Sequence, residues 1–365
     1  MARPLTLCYS LTDQSFADTK SIGILNVSTA LAGRLSSYPG VEGLHVLSNS
    51  SLASSLKLAP SARVSTVDWP TKSKPGRILW DQFGVYHAAA RSGSEWLFLP
   101  KGFASICRRP PVKLAAYVYD TMFDHYDTKH PGYVSGLEHE YFKKCFFASL
   151  QYSKIVFTLT EHSRLDILRL AERHRISPPE VVVAGVGFSP DPAPKSDDER
   201  EILVVAGKFP HKRSDLAVQY LSKWQAESGH PQTIHWAGSL PENVRPPHFP
   251  NWVKHGRLSE QEFRMLFKRC KAVVYFSEHE GFGMPPVEAL MVTSAPVFSN
   301  IPVMLEVMGT AGFPFANEDY DSFRTALDAA LAASSIQLEN WAGRLAKRHS
   351  WDGVVAKVVS GLVRS

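Results

Sequence analysis

The chain has 365 residues, of which 44% are hydrophobic, and this length exceeds what one hydrophobic core usually supports. Two domains are therefore expected. A net charge of +5 is too small to indicate nucleic-acid binding by itself, and no nucleic-acid-binding motif occurs. The four cysteines have neither disulfide nor zinc-type spacing, which predicts reduced thiols and no zinc site. No apolar stretch reaches the roughly 20 residues of a membrane span and no signal peptide is evident, so we expect a cytoplasmic protein.

Strands and helices alternate through the first half of the chain. The apolar runs predict strands at residues 5–9, 44–47, 96–99, 114–119, 155–159 and 181–184. Helices are predicted from residue 23, near 78–90, over an aromatic segment that follows an irregular stretch at 121–135, and over 162–174. Such alternation predicts a parallel, doubly wound sheet. The polar, proline-rich end of residues 185–200 then predicts a linker.

A second alternation begins after this linker. Strands are predicted at residues 202–206, 234–237, 252–255, 273–276, 296–299 and 312–315. A helix over 214–228 is expected to stop at Gly229, and Ser259 with Glu262 forms the pattern of a capping box that opens another helix. The predicted domains are residues 1–188 and 200–349, and a terminal helix occupies 350–365.

Two glutamates flank a glycine-rich turn between the strand at 273–276 and the next helix. Glu280 follows the strand, Glu288 lies in the helix, and Gly281 and Gly283 allow a ligand to approach the backbone closely. Ligands of open α/β sheets bind at the carboxyl ends of the strands, so this turn predicts a binding site. The ordinary alternative is that Glu288 complements a helix dipole while Glu280 is a solvated loop charge.

A basic turn follows the strand at 202–206 in the same way. Lys208 and Lys212 lie four positions apart between Gly207 and a helix N-terminus, and together these features predict an anion site. The alternative is an ordinary solvated basic turn.

The block from Glu280 to Ala289 resembles the paired-glutamate motif, EGFGxPxxEA, of the retaining glycosyltransferases of family 4. The resemblance implies the α/β GT-B fold, in which two Rossmann-like doubly wound domains face each other across a cleft. The N-terminal domain would then bind the acceptor, the C-terminal domain the donor, and the last helix would cross back to the N-terminal domain. By the same resemblance, Glu280 contacts the transferred sugar and Glu288 contacts the ribose of the nucleotide. A carboxylate suits a vicinal diol, because hydrogen bonds to charged groups contribute about 1.5–3 kcal/mol each.

Further positions of the family's donor site can be carried over to this chain. The resemblance assigns sugar contacts to Gly281, Phe282 and Gly283, and diphosphate contacts to Lys208 and Lys212. Lys208 stands where many family members have arginine, which keeps the charge but loses the planar fork of donors.

The N-terminal half resembles the family less closely. Gly23 is the one glycine of a first loop in which other members have two or more, and Asp120 matches the family's aspartate. The histidine that normally precedes this aspartate and faces the sugar is replaced by Tyr119. Tyr119 is therefore a possible sugar contact, with His125 in the following loop as a substitute, or else a core aromatic at a strand end.

The resemblance implies a retaining hexosyltransferase in which Glu280, Asp120 and Lys212 are catalytic. The acceptor would be a saccharide or lipid-linked saccharide, and the leaving diphosphate would serve as the base. Cations and helix N-termini would stabilise the leaving group, so neither a metal nor a cofactor is expected. Residues 281–286 and 300–302, with Gln82, look most like bacterial mannosyltransferases of surface polysaccharide assembly. GDP-mannose is therefore the expected donor, and UDP-sugars are the alternative.

Three other interpretations stay open. Asp319 and Asp321 formally provide a metal-binding pair of another transferase class, although their position favours a helix cap. The missing histidine and the poor glycine loop would also suit a catalytically silent nucleotide or carbohydrate binder. The aromatic helix around residues 141–147 is either half-buried core or a peripheral contact with the inner face of the membrane.

Overall fold

The computed structural model describes residues 5–14, 22–71, 73–134, 136–192, 201–229, 232–245, 249–256 and 258–365. The chain divides into two compact units, one formed by Met1–Gly187 with Trp351–Ser365 and the other by Phe188–Ser350. Residues 193–200 of the predicted linker lie outside the described residues, as do Lys20 and Ser21 at the start of the predicted glycine loop.

The first unit is built on one parallel sheet of seven strands. Its strands are β1 (Leu5–Ser10), β2 (Val41–Ser48), β3 (Arg63–Thr66), β4 (Trp96–Leu99), β5 (Lys113–Tyr117), β6 (Ile155–Thr158) and β7 (Glu180–Val183). The spatial order is β3-β2-β1-β4-β5-β6-β7, with every pair parallel. The order reverses between β1 and β4, which makes the sheet doubly wound, as predicted.

Helices connect these strands. They are α1 (Ile22–Ser36), α2 (Ser50–Ala53), α3 (Lys74–Leu79), α4 (Val85–Arg91), α5 (Met122–Lys129), α6 (Leu137–Tyr152) and α7 (Glu161–Arg173). A π-helical stretch, Trp80–Gly84, joins α3 to α4, so the helix predicted near 78–90 is one longer helical run.

The central strands of this sheet are continuous apolar runs because both faces of the sheet are covered. Aromatic rings pack from strand to strand: Tyr9 stacks on Phe98 with centroids 5.0 Å apart, and Phe98 lies 5.9 Å from Phe157. All three side chains are fully buried. This core fixes the carboxyl ends of β1, β4 and β6.

The second unit repeats the architecture with six parallel strands. They are β8 (Ile202–Val205), β9 (Ile234–Ala237), β10 (Trp252–Lys254), β11 (Ala272–Tyr275), β12 (Ala295–Ser299) and β13 (Phe313–Phe315). The spatial order is β10-β9-β8-β11-β12-β13, so this sheet reverses between β8 and β11. Its helices are α8 (Ser214–Ser228), α9 (Glu260–Arg269), α10 (Met284–Met291), α11 (Pro302–Met308), α12 (Tyr320–Leu331) and α13 (Ser335–Arg348).

The last helix, α14 (Trp351–Arg364), packs within the first unit against α1, β6 and β7. The apolar stripe of this helix, which includes Val354, Val358 and Leu362, is buried. Gly361 permits close packing, because a Cβ at this position would lie 2.7 Å from Ile155 Cδ1.

The irregular stretch predicted at residues 121–135 is wrong, because α5 occupies its first half. Phe123 of this helix packs against Phe146 with ring centroids 4.9 Å apart, and Tyr126 is buried. The segment is otherwise polar, so its helical period is hidden in the sequence and the helix depends on these tertiary contacts.

The aromatic helix predicted around residues 141–147 is α6. Its Cys145 and Phe146 are buried in the first unit and Lys144 is exposed, as expected for a helix that covers a core. Within the ranges given above, every helix is too short or too polar to cross a bilayer.

Candidate active site

Two loops meet at the carboxyl edge of the second sheet, where its strand order reverses. One loop follows β8 and contains His211 and Lys212; the other follows β11 and contains Ser277 to Gly283. The Glu278 main-chain N–H donates to the His211 carbonyl at 2.8 Å, which ties the loops together. The lysine turn and the glutamate turn predicted from the sequence therefore form one site, at the position where open α/β sheets bind ligands.

The centre of this site is the Glu280 carboxylate, whose Oε1 accepts three hydrogen bonds. Lys212 Nζ donates at 2.6 Å, Tyr275 Oη at 2.7 Å and Ser277 Oγ at 2.8 Å. The other oxygen, Oε2, accepts no hydrogen bond from any residue that the structure describes. One oxygen thus anchors the carboxylate and the second is available to a ligand hydroxyl.

The electrostatics keep Glu280 ionised. Burial alone raises the pKa of this carboxyl, but the charges of Lys212 and His211 and the hydrogen bonds from Lys212 and Tyr275 outweigh burial and lower the pKa to about 2. Burial and the neighbouring Glu280 carboxylate raise the pKa of the Tyr275 phenol well above its usual value. At neutral pH, Glu280 is therefore an acceptor and Tyr275 a donor.

Lys212 retains capacity for an anion. Its ammonium contacts Glu280 and Tyr275, which uses two of three N–H groups, and no described residue accepts the third. Gly207 lies against its side chain, since a Cβ there would be 2.7 Å from Lys212 Cγ. Lys208, by contrast, is exposed and forms no ion pair with any described residue; its Nζ lies 5.9 Å from the Phe209 ring centroid.

The glycine-rich turn leads directly into α10. Gly283 is the N-cap of this helix at φ +79°, and a Cβ there would overlap the Met304 side chain, so glycine is required. Gly281 is buried in the same turn. The Phe282 ring is also buried and stacks on Phe188 with centroids 5.7 Å apart. Only the main chain of Phe282 is thus left for a donor contact.

Glu288 lies in α10, partly exposed, and its carboxyl makes no hydrogen bond to a described residue. Burial, with a smaller contribution from the Glu260 charge, raises the pKa of Glu288 to about 7. The Glu288 charge in turn contributes to the raised pKa of Tyr275. A partly desolvated carboxyl without a partner is poised to bind a diol, whereas a carboxylate that only complements a helix dipole would be solvated.

Tyr275 and Ser277 were not predicted as site residues. Ser277 lies in a buried network in which its N–H donates to Ser299 Oγ at 2.9 Å, and Asn317 Nδ2 donates to the Ser277 carbonyl at 2.9 Å. The polar ends of the otherwise apolar strands β11 and β12 are the sequence signal that could have indicated this network.

The predicted site residues of the first unit lie near the carboxyl ends of β1 and β5. Gly23 is the second residue of α1 and is partly exposed. Tyr119 is buried, with its ring 5.1 Å from that of Tyr117 and its hydroxyl 3.4 Å from Ser28 Oγ. Asp120 is partly exposed, and its Oδ1 accepts a hydrogen bond of 2.9 Å from the main chain of Met122.

Two minor predictions also have a structural outcome. Asp319 is the N-cap of α12, as the sequence favoured, because its Oδ1 accepts a hydrogen bond of 3.0 Å from the Ser322 N–H. Asp321 forms an ion pair with Arg324. Gln82 is buried, and its Oε1 accepts a hydrogen bond of 2.8 Å from the Ile106 main chain.

Comparison with known proteins identifies relatives of this chain. The family model described as "Glycosyl transferases group 1" matches residues 188–348, the second unit almost in full. The serotype-specific mannosyltransferase WbdA of Escherichia coli is 32% identical over 111 residues, which are 30% of this chain and 14% of that protein. The O-antigen chain mannosyltransferase B of Escherichia coli is 24% identical over 250 residues, which are 60% of this chain and 63% of that protein. The chain thus spans less than two thirds of these curated relatives.

A solved structure covers both units. Alr3699/HepE of Anabaena, crystallised with UDP and glucose, has a TM-score of 0.70 at 13% identity, over 99% of this chain and 100% of that one. Likeness at this identity shows the fold alone. The predicted two-domain α/β GT-B fold is confirmed.

Proposed function

We propose that the protein transfers a hexose from a nucleoside diphosphate sugar to a saccharide or lipid-linked saccharide with retention of configuration. The match of residues 188–348 to the glycosyl transferases group 1 model supports this proposal. The observation that carries the proposal is the Glu280 carboxylate, anchored through Oε1 by Lys212 while Oε2 stays open. A donor sugar needs such an acceptor, and a departing diphosphate needs such a cation.

In the proposed reaction, the bond between the anomeric carbon and the diphosphate oxygen breaks while a bond from that carbon to the acceptor hydroxyl oxygen forms. The acceptor proton goes to the departing phosphate oxygen on the same face. The remaining N–H of Lys212 and the N-terminus of α10 would stabilise the negative charge as it develops. Glu280 Oε2 would hold the hexose, and Glu288 would accept the ribose hydroxyls. This route uses no metal.

GDP-mannose is the proposed donor, and UDP-sugars are the second candidate. The mannosyltransferase relatives support mannose, whereas the solved structure with UDP and glucose supports the alternative. Thermal unfolding with each nucleoside diphosphate would separate them, since specific binding at a hundredfold excess over Kd adds about 2.7 kcal/mol. Stabilisation by UDP and not by GDP would discard GDP-mannose.

The proposed acceptor belongs to a surface polysaccharide, because a relative that matches over 250 residues is named for an O-antigen chain. Peripheral contact with an anionic membrane remains part of the proposal. Leu137, at the start of α6, is 92% exposed, and the next residue, Glu138, forms an ion pair with Lys74 at 2.8 Å. An exposed apolar side chain at the start of a helix suits shallow contact with a membrane surface.

The decisive experiment is a transfer assay with a panel of nucleotide sugars, followed by NMR assignment of the product's anomeric configuration. An α-linked product from an α-linked donor is expected, and inversion would refute the proposed mechanism. Tight nucleotide binding without turnover for any donor and acceptor tested would favour the catalytically silent binder.

A further inference from the structure

A second cluster of polar side chains lies at the opposite, amino-terminal edge of the second sheet. Glu201 directly precedes β8, His235 is the second residue of β9, and Cys270 lies between α9 and β11. One ligand atom from each residue lies within 4.8 Å of those of the other two. Strand pairing explains the meeting: Leu203 pairs with His235, and the Lys271 N–H donates to the Glu201 carbonyl at 2.8 Å.

The three side chains lie next to the C-terminal end of α9, whose C-cap is Cys270. His235 is 2% exposed, and Cys270 is fully buried in the apolar cluster that includes Leu266 and Phe267. Glu201 is partly exposed and leaves the cluster open to ions from solution. A carboxylate oxygen, an imidazole nitrogen and a thiolate are the three ligand types that Zn²⁺ takes in proteins.

The groups around the cluster would orient these ligands. His235 Nε2 lies 3.2 Å from Glu201 Oε2, so the nitrogen that faces the carboxylate is the one available for a metal. The other nitrogen, Nδ1, is 2.9 Å from His255 Nε2, and Arg269 Nη2 donates to Glu201 Oε1 at 2.6 Å while its Nε contacts Oε2. A partner such as His255, on the nitrogen of a ligating histidine that faces away from the metal, is typical of metal sites. Arg269 contacts both oxygens of Glu201 and so fixes the position of this carboxylate.

We propose that Glu201, His235 and Cys270 bind one divalent transition-metal ion, Zn²⁺ by ligand preference, with water as the fourth ligand. The ion would join β8, β9 and the start of β11. Because these residues lie at the edge of the sheet opposite Lys212 and Glu280, the ion has a structural role and does not depend on the proposed transfer reaction. The spacing of the cysteines predicts no zinc site. The three ligands proposed here come from three separate segments of the chain, so cysteine spacing could not indicate them.

Cobalt provides the test, because Co²⁺ replaces Zn²⁺ and reports its ligands by absorption. The full-length chain, stripped with a chelator and dialysed, is titrated with Co²⁺. We expect one equivalent to bind with a thiolate-to-cobalt charge-transfer band and tetrahedral visible bands. Cys270→Ser should abolish the charge-transfer band. Cys107→Ser, which removes the exposed thiol of the first unit, is the matched control and should retain it.

Two further measurements keep the test decisive if Cys270→Ser does not fold. Glu201→Gln alters only a partly exposed side chain and should weaken Co²⁺ binding at least tenfold. At one Zn²⁺ concentration, the Tm of this variant should rise less than that of wild type. A charge-transfer band that disappears with Cys107→Ser and persists with Cys270→Ser would overturn the proposal. Absence of any stoichiometric Co²⁺ binding, or equal binding by wild type and Glu201→Gln, would do the same.

Discussion

The Tyr275 hydroxyl donates a 2.7 Å hydrogen bond to Glu280 Oε1, the same oxygen that the Lys212 ammonium contacts. Tyr275 ends β11 and Glu280 lies five residues later, so the strand itself supplies the donor that fixes the carboxylate. With Oε1 occupied by donors from two loops, the orientation of Oε2 is set before any ligand arrives. Such preorganisation is what a sugar-binding carboxylate requires.

Tyr275→Phe tests this positioning role. The ring stays and only the hydrogen bond to Glu280 is removed, so we expect kcat to fall about tenfold, or ~1.4 kcal/mol, with little change in nucleoside diphosphate affinity. Tyr320→Phe is the matched control, since it removes a hydroxyl that donates to the surface carboxylate of Glu227 at 2.6 Å. Equal kinetics for the two variants would remove Tyr275 from the site.

Lys212→Ala should lower kcat/KM for the donor by about a hundredfold or more, because the diphosphate loses its cation as the leaving group departs. The variant should also lose stability. The pKa of Glu280 is depressed in the folded state, so its ion pair stabilises the fold above pH 4.5, and that stabilisation is lost as pH falls toward 2. Chemical denaturation at pH 7 measures this loss.

Lys223→Ala provides the control for that variant. Lys223 forms an exposed pair with Glu227 at 3.7 Å, and its Nζ lies 3.9 Å from the Tyr320 ring centroid. Its removal should leave the kinetics unchanged and cost at most about 1–2 kcal/mol of stability. If Lys212→Ala behaves like Lys223→Ala, the basic turn is only a solvated loop.

Glu288→Gln should change the pH dependence of both stability and binding. The folded pKa of Glu288, about 7, lies above its unfolded value of 4.5, so wild-type stability decreases as pH rises between these values. The free energy of unfolding of the glutamine variant should therefore exceed that of wild type by about 1–3 kcal/mol at pH 8 and equal it at pH 4. The same variant should bind nucleoside diphosphate more weakly by about 1–3 kcal/mol above pH 7, where the ionised carboxylate accepts the ribose hydroxyls.

Titration calorimetry across pH 5.5 to 8.5 checks the binding half of this prediction. Wild-type affinity should rise with pH and level off above the pKa of Glu288, and the variant should show no such rise. Glu260→Gln removes the neighbouring charge that helps to raise the pKa of Glu288, so it should move the wild-type midpoint to lower pH. If wild-type affinity does not change with pH, Glu288 does not bind the ribose, and the helix-dipole interpretation of Glu288 is correct.

Local chemistry made parts of the fold predictable from the sequence. The Ser259 capping box is present, with the Glu262 carboxylate accepting from the Ser259 N–H at 2.7 Å, and α8 ends at Gly229 in the left-handed conformation. These features depend on residues within one helical turn. The alternation of apolar runs likewise predicted both parallel sheets, because strands covered on both faces are continuously apolar.

The contacts that complete the site could not be predicted from the sequence. Lys212 and Glu280 are 68 positions apart, and their ion pair exists because β8 and β11 are neighbours where the strand order reverses. The burial of Phe282, which leaves only its main chain for a ligand, likewise depends on Phe188. Helix α5 was missed for the same reason, since Phe123 stabilises it through another helix.

Gly283→Ala tests the glycine-rich turn. Its φ of +79° disfavours alanine and the added Cβ would overlap Met304, so we expect a loss of about 2–4 kcal/mol in stability and weaker donor binding. Gly343→Ala is the control, because Gly343 lies exposed in α13 with no atom within 4 Å of a Cβ. There alanine should stabilise the helix by up to about 1 kcal/mol. Thermal unfolding of both variants makes the comparison.

Glu280→Ala and a chelator together test the proposed chemistry. If Glu280 Oε2 orients the hexose, Glu280→Ala should reduce transfer at least a hundredfold while binding of free nucleoside diphosphate persists, because the lost contact is to the sugar and not to the nucleotide. In the same assay, a chelator should leave wild-type turnover nearly unchanged at a temperature well below Tm, since Lys212 and the α10 N-terminus already stabilise the diphosphate. Removal of an ion held by Glu201, His235 and Cys270 would lower Tm without slowing transfer. If a chelator abolishes wild-type activity and Mg²⁺ or Mn²⁺ restores it, the reaction requires a metal. If Glu280→Ala loses sugar binding and nucleotide binding equally, this carboxylate supports the whole site rather than the hexose alone.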